Sequence, residues 1–154
     1  MQSFYLTNRN ENNLNLNILD SYLNKTTVVA NNFNINFFYS DKRESIIKKD
    51  KSFIANLGVF IYKNRFNKEA LKFLLEDLEK GENLEDILLS DYTRGQFCLI
   101  LFLNNKLQVI TDRLGYYPVY LYRKGNNISM SNAMLGLAKN NKNSLNKIGV
   151  AQYL

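Results

Sequence analysis

Apolar and polar positions alternate along most of this chain with the period of two expected of strands. Ser3 to Leu6 predicts a first strand, and Leu14, Leu16 and Ile18 alternate as a half-buried strand does. Thr26 to Ala30 and Ile35 to Tyr39 carry the β-branched and aromatic residues that suit a pleated surface. Ile46-Ile47 and Ser52 to Ile54 flank the polar run Lys48-Lys49-Asp50-Lys51, which predicts a hairpin, and a further strand, Val59 to Tyr62, follows Gly58. The period then changes. Leu71, Leu74, Leu75 and Leu78 recur at helical spacing, with Asn67 placed to cap the start and Gly81 to stop the end. A shorter helix is predicted around Leu84 to Leu89.

Strand character returns after Gly95. The run Phe97 to Leu103 is apolar at every position, so it predicts a strand covered on both faces. Asn104-Asn105-Lys106 turns the chain into Leu107, Val109 and Thr111. Val119 to Tyr122 and Ile128 to Met130 meet across Lys124-Gly125-Asn126-Asn127, a segment with tight-hairpin chemistry. Ala133 to Ala138 predicts a short helix, and Ser144 caps a last one reaching Leu154. Strands, two helices, strands and helices in that order predict an α+β layered fold.

Composition narrows the picture. With 154 residues, 45% apolar and 22% charged, the chain suits a single globular domain over 1–154. The longest apolar run is too short to span a bilayer, and no secretory signal opens the chain. One cysteine, Cys98, suits a reducing cytoplasm, which is the expected location. The net charge of +6 comes with scattered lysines, the densest group being Lys48, Lys49 and Lys51, so a solvated surface is expected and nucleic acid is not. The chain has no histidine, which excludes Ser-His and Cys-His dyads and any histidine metal site. No metal site is expected.

One series of residues goes further. Gly95-Gln96-Phe97, Thr111-Asp112-Arg113-Leu114-Gly115 and Pro118-Val119-Tyr120-Leu121-Tyr122 come in order, followed by Ile128-Ser129-Met130-Ser131-Asn132 and Leu135-Gly136-Leu137-Ala138. It is similar to the G-x-F-A, R-D-R-L-G-x-x-P-L-Y-Y and S-S/E-x-x-x-L-L series of class II glutamine amidotransferase domains. Asparagine synthetases and their β-lactam-synthetase and lasso-peptide-cyclase relatives carry that series. The resemblance covers roughly the last sixty residues. Gly95, Asp112, Arg113, Gly115 and Pro118 have plain structural reasons within it: glycine permits a sharp turn, proline fixes φ ahead of a strand, and Asp112 and Arg113 can hold the turn together.

The resemblance implies a four-layer αββα sandwich of the amino-terminal-nucleophile hydrolase type. In the family, the stretch matching Ala151 to Leu154 leads into an ATP-pyrophosphatase synthetase domain with an S-G-G-x-D-S loop. The chain is therefore expected to be a fragment or stand-alone remnant, with ATP and magnesium belonging only to the missing domain and no cofactor of its own. Its expected partner is that carboxy-terminal synthetase domain, in cis or in trans, with a homodimer left open.

Active members of the family use a cysteine directly after the initiator methionine, activated by its own α-amino group. The residue here is Gln2, whose amide is no nucleophile, and Ser3 would have to be exposed by unusual processing. Cys98 sits in an apolar strand, where a thiol is inert. The family's N-G-E-x-Y turn, whose Asn amide and Gly N–H stabilise an oxyanion, is matched by Leu57-Gly58-Val59-Phe60-Ile61-Tyr62, with leucine where asparagine belongs and Asn56 one position away. Arg43 echoes the family's substrate-gripping arginine but lies closer to Gly58 than that role expects. Gln2, Ser3, Arg43, Leu57 and Gly58 thus outline a vestigial pocket with no catalytic residue. The leading expectation is a non-catalytic domain that scaffolds or regulates an amide-forming synthetase. The alternatives are a working amidotransferase revealed by unusual processing, and a basic binding module.

Overall fold

A computed structural model describes residues 2–9, 24–40 and 45–141. The chain divides into two units, residues 1–2 with 41–118 and residues 3–40 with 119–154.

The first unit is built on the strand pair that the apolar pattern marks most strongly. Strands β4 (Ile46–Lys49), β5 (Ser52–Tyr62), β7 (Thr93–Leu103) and β8 (Lys106–Thr111) lie in that order, and β6 (Arg65–Phe66) also pairs with β5. The two eleven-residue strands β5 and β7 run antiparallel, with Asn56 opposite Leu99, Leu57 opposite Cys98 and Gly58 opposite Phe97. The strand expected at Val59 to Tyr62 is the second half of β5, because Gly58 at φ +88° bends the ladder without ending it.

Helix α1 (Asn67–Glu79) lays Ala70, Leu71, Leu74 and Leu75 against Ile54, Phe60, Tyr62, Leu99 and Leu101. It ends in a paired bond set, Glu82 N–H to Asp77 O and Gly81 N–H to Leu78 O, with Gly81 at φ +95°. That is the glycine stop its position predicts. Helix α2 (Leu84–Leu89) adds Ile87 to the same core. Phe97 through Phe102 are buried on both faces of β7.

In the second unit the sheet order is β2 (Asn24–Ala30), β3 (Phe33–Tyr39), β1 (Gln2–Thr7), β10 (Asn127–Ser131) and β9 (Tyr120–Lys124). Helix α3 (Met134–Asn141) places Leu137 against Tyr5 and Phe38. The hairpins turn at Asn31, φ +53°, and Gly125, φ +58°. The strand expected at Leu14 to Ile18 and the helix expected after Ser144 lie outside the described residues.

The α+β, four-layer αββα expectation is not met. The described residues are mostly β, 53% strand against 21% helix, in two antiparallel five-stranded sheets. Only one segment has a long helical period. The other helices have six and eight residues, and the remaining apolar segments pair as strands.

Candidate functional site

Gly58 is the centre of the candidate site. Its N–H donates to Gln2 Oε1 at 2.9 Å, so the side chain of Gln2 ends on the backbone donor of the bent strand. A Cβ at residue 58 would lie 2.3 Å from Gln96 O and 2.4 Å from Cε2 of Tyr117. Only glycine fits there, on grounds of both φ and space.

The neighbouring side chains sort by strand alternation. Leu57 is buried and shares its side of the ladder with Cys98, its cross-strand partner. It has no group that can donate to a carbonyl or an oxyanion. Asn56 faces the other way. Its Nδ2 donates to Gly58 O at 3.1 Å and lies 3.4 Å from Asn67 Oδ1, while its own Oδ1 is buried without a partner among the described residues. A one-residue displacement has therefore turned the amide toward α1. Asn67 does not cap α1 as its sequence position suggests. It has φ +44°, and its Oδ1 accepts the Phe60 N–H at 3.2 Å, while Phe66 is the capping residue and offers no side-chain bond.

The two other sulfur and hydroxyl candidates are occupied or inert. Ser3, in the second unit, is buried and donates to Asn132 Oδ1 at 2.9 Å, an oxygen that also accepts the Phe4 N–H. Cys98 is fully buried, and its thiol is pushed up to about 12, by burial first and by the negative charge of Asp112 second. At neutral pH it is a core side chain. Arg43 lies outside the described residues.

The motif residues after β8 build a turn. Asp112 is buried, and its carboxylate accepts three backbone N–H groups, from Phe97 at 3.3 Å, Leu114 at 3.0 Å and Tyr116 at 3.3 Å. Its main chain exchanges a further bond with Phe97 O. Arg113 reaches back to the end of α2, donating to Leu89 O and, at 3.5 Å, to Leu88 O. A cation at the last carbonyls of a helix complements both orphan acceptors and the dipole. Gly115 takes φ +65° in the turn, and Gly95 takes φ +117° where a Cβ would meet Val59 O at 2.1 Å. Pro118 is exposed and stands two residues before β9.

Gln2, Leu57 and Gly58 thus belong to one neighbourhood, whereas Ser3 is bonded elsewhere. Sequence reasoning missed Tyr117, whose ring lies over Gly58, and the inward role of Asn67. Neither has a local signal, since both depend on which strand lies alongside. Among the described residues no group of three or more His, Cys, Asp and Glu is placed to hold a metal ion, and no helix is long and apolar enough to cross a membrane. No protein-family model and no curated protein matches this chain.

Proposed function

We propose that this chain is a non-catalytic glutaminase-like domain of an asparagine-synthetase-related, ATP-dependent amide-forming enzyme, in which it scaffolds or regulates the synthetase domain. One observation carries the reading: the carboxamide oxygen of Gln2 occupies the Gly58 N–H. In the resembling enzymes this backbone donor serves the oxyanion that forms on the substrate amide. Here an intramolecular amide takes it, and an attached group has a large advantage over any diffusing one. The second donor of that hole is missing because Leu57 stands in its place. The Gly95 and Asp112-Arg113-Leu114-Gly115 residues, by contrast, all have structural roles in the chain. Motif and site support the reading; the four-layer architecture does not form part of it.

The test is ammonia release from glutamine by the purified chain. The expected result is no release above that of buffer, with and without added synthetase domain. Release that disappears when a residue at the mature amino terminus is changed overturns the proposal.

A further inference from the structure

The outer side of α2 and β8 carries an interface signal that the proposed function does not use. Four large apolar side chains are highly exposed there: Leu89 at 60%, Tyr92 at 66%, Leu114 at 77% and Tyr116 at 58%. They border two adjoining grooves of about 540 and 330 Å³, which share Leu88, Phe97 and Arg113 in their walls. A cluster of this kind marks an interaction surface, whereas apolar residues scattered singly do not.

Beside the grooves runs β8, the end strand of its sheet, and among the described residues no strand pairs with its outer edge. The opposite end strand, β4, has four residues and carries Lys48 and Lys49, the usual protection of an edge. β8 has six residues, Lys-Leu-Gln-Val-Ile-Thr, with no proline and a single lysine at its start. Such an edge is a template for another strand.

Charge identifies the occupant. Glu85, Asp86 and Asp91 on this surface stand against Arg94, Lys106 and Arg113, all exposed, and none of the six is ion-paired within the described residues. An acidic partner would meet the three carboxylates and a basic one the three cations. A surface with equal numbers of both is complementary to itself when turned about a two-fold axis. We propose that the α2–β8 surface binds the same surface of a second copy of this chain. The two β8 strands run antiparallel about an axis at Gln108, which sets each Leu107 opposite the other copy's Val109 and joins the two sheets edge to edge. The apolar side chains at the groove rim close over the junction. This pairing is independent of the proposed function and stands or falls separately from it.

Sedimentation equilibrium of the full chain over a range of concentrations tests it. The expected species has twice the 18.0 kDa chain mass. Gln108→Lys sets two ammonium groups across the axis and Leu114→Asp charges the rim, so each weakens the dimer by about tenfold or more. Circular dichroism monitors their folding. Amide exchange of the unaltered chain reads the same contact without a substitution: protection over Lys106–Thr111 must rise with protein concentration. A single-chain mass at every concentration overturns the proposal, as does a dimer that neither substitution weakens, or β8 protection that does not change with concentration.

Discussion

Asp77 lies buried on α1 with three donors around it: the Tyr62 hydroxyl at 2.9 Å, Lys63 Nζ at 2.8 Å and Lys80 Nζ at 3.5 Å. The hydrogen bond from the Lys63 ammonium, helped by that from Tyr62, holds its carboxyl below the usual carboxylate range. A depressed folded-state value means that the carboxylate adds stability above its unfolded value, about 3.9, and that this contribution fades as pH falls through the lower folded value. Urea midpoints measured from neutral pH down through the acid range should therefore drop less steeply for Asp77→Asn than for the natural chain. At neutral pH the variant should already be the less stable of the two. The same residue-level logic explains what the sequence did and did not disclose about Gly58. Its need for a positive φ was foreseeable in a glycine following apolar strand residues. That Gln2 would supply the acceptor, across 56 positions, was not, because nothing local links them.

Among the elements, α2 is the simplest to test, since a six-residue helix has little propensity of its own and depends on its ends. Asn83 Oδ1 accepts the N–H groups of Glu85 and Asp86 at 2.8 and 3.2 Å, and Arg113 serves the carbonyls at the other end. Asn83→Ala should cost about 1 kcal/mol in chemical denaturation, and faster amide exchange confined to Leu84–Leu89 is the accompanying sign. Both helices of this unit were legible because leucine periodicity and glycine or asparagine punctuation act within a few residues. The hairpins turning at Asn104-Asn105 and Gly125 were legible for the same reason. The continuity of β5 was not. A glycine ends a strand in one setting and bends it in another, and the eleven-residue partner β7 decides between them by pairing on both sides of Gly58. Asn67 failed as a predicted cap for a related reason: the Phe60 N–H competes for its oxygen more closely than the helix start does.

For the molecule as a whole, the misjudged quantity was the balance of strand to helix. Short apolar runs are ambiguous in isolation, and a resemblance confined to the last third of the chain carried a layered architecture over the rest. Pairing among ten strands settled it otherwise. Cys98 offers a direct reading of how firmly the first unit holds. It is the only thiol in the sequence and is fully buried in the middle of β7. Reaction with a disulfide reagent should be negligible under native conditions, should become complete in denaturant, and should track the unfolding transition seen by circular dichroism. Rapid labelling of the native chain would show that β7 opens on its own.

The tight reversals have one more consequence. Seven described residues other than glycine adopt positive φ, and five of them are asparagines: Asn31, Asn64, Asn67, Asn104 and Asn105. Asparagine tolerates that geometry better than most residues, so a chain with only seven glycines can still turn sharply. Each such turn also contains an amide open to slow hydrolysis through a cyclic imide. Ageing of the purified protein should appear as a ladder of successively more acidic forms, whose first members differ at the hairpin tips and leave the sheets unchanged.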